Sequence, residues 1–583
     1  MVVGQAGIPG VGECDEPGVI LGLGSSSQDF EEHITRLNSA SLRTASRALE
    51  TSLVAVRARL NYSCHINQLP PETLATIFDH VPPVVKIVTS PWKSSVKDCT
   101  KLVPVTHVCK YWRAVALGAS FLWRHISPSF PAQVSVERSR NQPLYICAES
   151  EQQEVLHKVM HSGRPIVELE YDGMLDKGTI LAYPAPSLRS LTLSSYFGDL
   201  SRIEPDRPKL FDGQAPRLEQ LSFTDMFCSM PSNTFPALKR LHLSDCIGIQ
   251  SSDLFSFFSA SLGLEHLVMT RIDISIDRGI KSPIHMDHLC TVFITEVSDE
   301  TVNMILSGIS VNEDTVMHLA RRDTLTVPQC YPKTNLRRLA LWYTHHAVSI
   351  MATGSSTGIL STCFHYGRTH EQNYAFHGLR KLPLSQITEL WAEALPSTER
   401  QTSSINMLLP NLTSLTTLHD NVSGTGYVLK HFIEDQSNPP LCPDLRTVHI
   451  RSDDNDDEPL NVGLICKFAE RRKLSGCPIT RIVINTTERE RPWPDHYFKR
   501  ILKELKKYIR EVEFEWGHLP SMAMPALCNN RVHNRWKPWN ERWERLREVV
   551  FDHDDDGNGD GNGNGDGDGD GDGDSDSDDD EYY

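Results

Sequence analysis

Leu69-Pro70-Pro71-Glu72-Thr73-Leu74-Ala75-Thr76-Ile77-Phe78 is the stretch on which the reading of this chain turns. Its prolines suit the first turn of a helix, where the missing N–H has no partner to lose and the fixed φ already matches. Leu74, Ile77 and Phe78 then fall at i, i+3 and i+4 and make one apolar face. Val105-Thr106-His107-Val108-Cys109-Lys110-Tyr111-Trp112-Arg113 answers it, with Val105, Val108, Trp112 and Val115 at helical spacing and Cys109 beside them. Ala119 to Ile126 adds a third short helical turn. Three short helices bury little surface alone. Their apolar residues outnumber what one helix face needs, so a helix-on-helix docking surface is expected.

Read in order, Leu-Pro-x-Glu-x-Leu-x-x-Ile-Phe, Val-Cys-x-x-Trp-Arg and Leu-Trp-x-x-Ile together resemble the F-box, in the form common in mushroom-forming fungi. The resemblance covers Leu69 to about Ile126, a small part of the chain. It implies binding to the Skp adaptor, and through it to a cullin, in a ubiquitin ligase whose protein substrate is chosen by the rest of the chain. It also implies the adaptor-facing residues: Leu69, Pro70, Leu74, Ile77, Val108, Cys109, Trp112 and Arg113. Some of these must instead hold the three helices together, and Trp112 and Trp123 fit a core as well as a contact. One departure stands out. Val81 to Pro104, with Pro82, Pro83, Pro91 and Trp92, separates the two halves by more than a minimal F-box needs. A loop facing solvent would leave the unit intact.

Downstream the pattern changes. Pro143-Leu-Tyr-Ile-Cys has the character of a first strand, and a Leu-x-x-Leu-x-Leu form then recurs. It reads Ile166/Leu169/Tyr171, Leu188/Leu191/Leu193, Leu218/Leu221/Phe223, Leu238/Leu241/Leu243, Leu264/Leu267/Met269 and Leu289/Val292/Ile294. Leu336/Leu339/Leu341, Leu445/Val448/Ile450, Ile479/Ile482/Ile484 and Ile509/Val512/Phe514 continue it, while Ile387/Leu390 and Leu412/Leu415/Leu418 are partial copies. Pro186, Pro216, Pro236, Pro410 and Pro443 stand two residues before a first leucine and bias the backbone toward an extended entry. One strand and one return segment per unit is the logic of a leucine-rich repeat, each unit buried only against its neighbours. The spacing is irregular: first leucines stand 22, 30, 20, 26, 25 and then 47 residues apart. Ser194, Thr224, Ser244 and Thr270 stand where a regular array carries asparagine. The alternative is a generic α/β body with buried strands. Thr295 to Thr334 and Trp342 to Leu382 read as insertions or unrecognised repeats.

The expected fold is therefore α/β: a helical F-box-like unit, an irregular leucine-rich-repeat solenoid, and an acidic tail. The divisions are 1–28, rich in Gly, Pro and Ser and expected to be disordered; 29–61, an amphipathic helix; 62–127, the F-box-like unit; 128–528, the repeats; 529–551, rich in Trp and Arg; and 552–583, the tail. In the second of these, Ile34, Leu37, Leu42, Ala45, Leu49, Leu53, Val56 and Leu60 recur at a spacing near three to four residues, though not cleanly. Too few heptads favour a confident coiled coil, so packing back on the following helices is expected, with a dimerising coiled coil as the alternative. Trp536, Trp539 and Trp543 are expected to cap the last repeat, or to form a small ligand surface.

The net charge is −17 over 583 residues. The segment from Asp552 carries 14 Asp and one Glu with no Lys or Arg, and removing those charges leaves the other residues at about −2. The body is thus nearly neutral, with no basic excess to neutralise nucleic-acid phosphates. Asp and Gly alternate in the tail without the bidentate Glu of a calcium loop. No stretch approaches the ~20 apolar residues of a membrane span, and the N-terminal residues, with Gly, Pro and acids, do not resemble a secretory signal, so none is expected. The 14 cysteines lack any Cys-x-x-Cys, which suits reduced thiols in cytoplasm or nucleus. His285, His288 and Cys290 lie close together, but without a second ligand cluster no metal site is assigned. His345, His346, His365 and His370 stay unassigned, and no phosphate loop, nucleophile elbow or zinc-protease motif occurs. No catalytic residue, metal or cofactor is expected. A non-catalytic substrate receptor is the leading reading. A scaffold acting outside a ligase and an enzyme carried in the poorly patterned middle are the alternatives.

Overall fold

The structure is a computed structural model. It describes residues 35–540 apart from 37, 87–90, 174–179, 196–207, 228, 278–281, 322–334, 344–346, 365–378, 380, 394–404, 406, 422–426, 453–459, 487–494, 517–521, 531, 532, 535 and 537. The expectations for the N-terminal segment, the acidic tail, Trp543 and the His345, His346, His365 and His370 group lie outside the described residues. The chain divides into two compact units, Met1–Val85 with Val96–Tyr145, and Lys86–Ser95 with Ile146–Tyr583.

The first unit is helical. Asn38 caps helix α1 (Ser39–Ser63), its side chain accepting a 2.9 Å hydrogen bond from the Ser41 N–H. Helices α2 (Pro71–Asp79), α3 (Leu102–Val108) and α4 (Lys110–Gly118) follow. Their core is Leu74, Ala75, Phe78, Cys99, Leu102, Val105, Val115 and Ala116, closed by Leu122, Trp123 and Phe130. The Trp123 indole N–H donates to the Ala116 carbonyl at 2.8 Å, so the largest buried ring hides no unpaired donor. The expected packing of α1 onto these helices is not made: none of its residues is buried, and Leu49, Leu53, Val56 and Leu60 are each about half exposed or more.

The second unit is built on a large sheet. Beyond the strand Leu144–Glu149, the first that the sequence marks, its strands are β1 (Ile166–Asp172), β2 (Ser190–Ser194), β3 (Gln220–Thr224), β4 (Arg240–Ser244), β5 (His266–Thr270), β6 (Thr291–Thr295), β7 (Val316–Arg321) and β8 (Arg338–Tyr343). They continue as β9 (Ala347–Thr353), β10 (Gly358–Phe364), β11 (Glu389–Glu393), β12 (Thr417–Asn421), β13 (Thr447–Ser452), β14 (Arg481–Thr486) and β15 (Glu511–Trp516). From β1 to β7 each strand pairs parallel with the next. β10 then pairs parallel with β7, β9 runs antiparallel between β10 and β8, and β11 to β15 continue parallel from β8.

The register sorts side chains by the two-residue period of a strand. Leu169, Leu191, Leu221, Leu241, Leu267, Val292 and Met317 stand opposite one another and are buried on one face. Leu339, Leu390, Leu418, Val448 and Ile482 continue that row. Strand exits repeat as well. Asp225, Asp245, Arg271 and Glu296 each follow a strand with φ of 52°, 54°, 47° and 56°. Their N–H groups donate to Ser244, Thr270, Thr295 and Ala320 of the next strand at 2.9–3.1 Å. A residue that leaves its strand in the left-handed region turns the chain away while its N–H still joins the ladder. Helices such as Ser251–Ala260, Asp299–Gly308 and Val462–Leu474 lie among the return segments.

Two readings of the sequence change here. The long gaps hold strands: β7 lies in the first, β9 and β10 in the second. The β7 copy escaped recognition because Asp314 occupies its first apolar position, and β10 because Ser356 and Ser361 replace two of its three. The β12 copy is in register as Leu415/Leu418/Asp420, not Leu412/Leu415/Leu418, since Leu418 stands opposite Leu390 and Val448.

Candidate functional site

Two surfaces could carry partners, one on each unit. On the helical unit, Pro71 opens α2 and Glu72 sits in its first turn, where a negative charge meets the positive end of the helix dipole. The residues expected to face an adaptor divide by burial. Pro70, Ile77, Val108 and Arg113 are exposed, with Ile77 at 41% and Val108 at 54%. Leu74 is fully buried at the centre of the helical core. Its expected surface role is corrected accordingly, because the same i, i+3, i+4 stripe that presents Ile77 turns Leu74 and Phe78 inward.

Leu69, Cys109 and Trp112 are half-buried and work locally. The Tyr111 hydroxyl donates to the Leu69 carbonyl at 2.7 Å, tying α4 to the entrance of α2. Cys109 caps α4, its sulfur accepting from the Trp112 N–H at 3.4 Å. The Trp112 indole N–H donates to Asn67 Oδ1 at 2.6 Å, and its ring tilts against Phe78 with centroids 4.9 Å apart. Asn67 and Tyr111 were not singled out in the sequence. Only the fold brings them to these partners. Ile66, Val81 and Val103 add exposed apolar surface to the same unit. Val81 stands four residues after Ile77, a spacing that could have marked it.

The insertion between α2 and α3 is not a solvent loop. Its base closes as a short antiparallel bridge: Val84 pairs with Lys97, and the Val85 N–H donates to the Val96 carbonyl at 2.8 Å. Lys97 Nζ donates to the Asp79 carbonyl at 2.6 Å and pairs with its carboxylate at 2.9 Å, holding the last turn of α2. The middle of the insertion, Lys86–Ser95, belongs to the sheet-bearing unit.

On that sheet the face opposite the leucine row carries Glu170, Thr192, Ser222, His242, Val268, Phe293 and His318, then Leu360, Met351, Ala340, Trp391, His419 and His449 in register. Two segments of the chain cover its middle. Trp92 is 6% exposed, edge-on to His242 at 5.7 Å. The Ser94 hydroxyl donates to Glu168 at 2.6 Å, and the Ser95 N–H donates to the same carboxylate at 3.1 Å. From the C-terminal side, Met522, Cys528, Trp536 and Trp539 join Trp92 in one apolar cluster with Val268, Phe293, Trp342, Met351, Leu360 and Trp391. Trp536 packs on Phe293 and His318, both at 6.1 Å. The tryptophans therefore do not cap the last strand, as expected from their place in the chain. They lie across the central strands. The Asn534 N–H donates to the Pro91 carbonyl at 2.7 Å, joining the two covering segments to each other.

The flanks of this face are polar and electrostatically perturbed. Burial, reinforced by Glu168 and Asp172, pushes the Glu170 carboxyl up to about 8. At the other flank Trp391, His419 and His449 stack in series, with ring centroids 3.6 and 4.3 Å apart. Burial, with His419 and Arg481 nearby, holds the His449 imidazole down at about 4. Burial opposes charge on Glu389, but hydrogen bonds from His419 and Trp391 and the Arg338 guanidinium hold its carboxyl below the usual range. His285 and His288 are exposed, and among the described residues no group of three or more His, Cys, Asp or Glu is placed to hold a metal ion.

Residues 66–129 match the family model described as F-box-like. The chain carries an F-box-like domain. The matched span covers α2, α3 and α4 and begins after α1. No curated protein matches the chain. F-box domains generally bind Skp-type adaptors, and F-box proteins are generally non-catalytic adaptors. Among the described residues, no helix is long and apolar enough to cross a membrane, and each described cysteine is a free thiol.

Proposed function

We propose that this protein is the substrate-recognition subunit of a Skp–cullin–F-box ubiquitin ligase, and that its sheet-bearing unit is an irregular leucine-rich-repeat solenoid that presents a protein substrate. The F-box-like match at residues 66–129 carries this reading, because it falls on helices that leave Ile77, Val108 and Arg113 exposed. The adaptor contacts are Leu69, Pro70, Ile77, Val108 and Arg113, while Leu74, Cys109 and Trp112 hold the helices that present them. The protein performs no bond chemistry. It raises the effective concentration of substrate at the ligase by holding two partners together. The described cysteines are free thiols, which suits the cytoplasm or nucleus.

The substrate meets the sheet face beyond its covered middle, on the flank where His449 is half-buried; Thr192, Ser222 and His419 are buried and shape that face from beneath. Binding of purified chain to a Skp-family adaptor tests the first half of this reading, and recovery of a cullin through that adaptor tests the second. Point substitutions are the better tool. Deleting residues 62–127 would also strip Trp92 from the sheet-bearing unit and confuse lost binding with lost packing.

A further inference from the structure

Helix α1 is 25 residues long, about 37 Å at 1.5 Å per residue, and no residue in it is buried. In proteins most of a helix's stability comes from packing an apolar face rather than from propensity. Five of the seven large apolar residues of α1 fall in one pattern, with Val54 and Tyr62 outside it. Leu42, Leu49 and Val56 recur every seven residues, and Leu53 and Leu60 repeat at the same interval, four residues after Leu49 and Val56. With Ser46 completing the second series, these are the d and a positions of a heptad seam. Leu42 is 36% exposed, and the other four are between 49% and 62%.

We propose that this seam is the contact between two copies of the chain, paired as a parallel two-stranded coiled coil. A seam repeating every 3.5 residues fits another helix with the same repeat, and a second copy supplies one in register. Charge sets the orientation. Aligned in parallel, the g positions Ala45 and Ser52 face the partner's Glu50 and Arg57, so no like charges meet across the seam. Aligned antiparallel with the six layers overlapping, Arg43 faces Arg57 twice and Glu50 faces Glu50. Like charges so placed are destabilising. Charge also limits the number of strands. The helix carries Arg43, Arg47, Arg57 and Arg59 against Glu50, so each further copy adds basic repulsion to a short seam. The seam lies outside the residues matched by the F-box-like model, so adaptor binding and pairing use separate surfaces.

Sedimentation equilibrium of the full chain over a range of concentrations tests this. Twice the chain mass is expected at high micromolar concentration, falling to a single mass in Leu49→Asp/Leu53→Asp. Both side chains are exposed, so the variant keeps the thermal unfolding of the rest of the chain. Orientation is read by oxidation in a Cys64→Ser background. Val56→Cys chains should link to each other, whereas an antiparallel pair would link only Val56→Cys to Ser46→Cys chains. A single mass at every concentration, a larger oligomer, a dimer that survives the aspartates, or linkage only in the mixed sample would each overturn the proposal.

Discussion

The Trp539 indole lies over Gly358 of β10 so closely that a Cβ on the glycine would stand 3.0 Å from Cζ3 of the ring and 3.1 Å from the Cys528 sulfur. Gly358 sits between Val316 and Thr353 on the covered middle of the face opposite the leucine row, where its missing side chain makes room for the C-terminal segment. Gly358→Val should therefore expel Trp539. Tryptophan emission should shift to the red and the chain beyond Pro525 should become sensitive to protease, with the sheet retained. Trp536→Ala/Trp539→Ala removes the same contact from the other side, at about 3–5 kcal/mol for each large buried ring. Unchanged emission and protease resistance in Gly358→Val would mean that the segment is held elsewhere.

Within α2, neighbouring apolar residues should behave oppositely. Leu74→Ala opens a cavity in a fully buried site and should cost about 2–5 kcal/mol, whereas Ile77→Ala removes a side chain that is 41% exposed and should change stability by only about 0.5 kcal/mol. In a chain of two units one global unfolding energy is poorly defined. Amide hydrogen exchange of α2 to α4 is the suitable measurement. Faster exchange in Leu74→Ala alone is expected, and equal effects would contradict the assignment of Leu74 to the core.

These cases show what could be read from the chain and what could not. The F-box-like helices were legible because proline entry, apolar spacing and the Val-Cys-x-x-Trp-Arg run are local features. Most sheet strands were legible because they keep the apolar residues of Leu-x-x-Leu-x-Leu at their spacing. β7 and β10 were missed where Asp314, Ser356 and Ser361 break that pattern and pairing with neighbours supplies the strand instead. The inward turn of Leu74 is invisible to a spacing rule that gives one stripe to both core and partner. The cover over the sheet face was not legible at all, since Trp92 and Trp539 are hundreds of residues apart and meet only through the intervening strands.

The flanks of the sheet face should respond to pH in opposite directions. Glu170 titrates near 8 in the folded chain against its usual 4.5. Its contribution to stability is full below 4.5 and is lost as pH rises through 8, because the unfolded chain ionises first. His449 is held near 4 against its usual 6.5, so its contribution is lost as pH falls from 6.5 to 4. Glu170→Gln should flatten the decline in melting temperature between pH 5 and 8, and His449→Gln the decline on the acid side. Melting profiles that stay parallel to the native one would show that neither group is so perturbed.

Adaptor binding is the most direct test of the central claim. Purified full-length chain should retain a Skp-family adaptor on a column. Ile77→Asp/Val108→Asp, which alters two exposed side chains, should weaken that binding at least about tenfold while α2 to α4 keep their native hydrogen exchange. Undiminished binding by this variant, or no binding by the intact folded chain, would contradict the claim that these helices are an adaptor-binding surface.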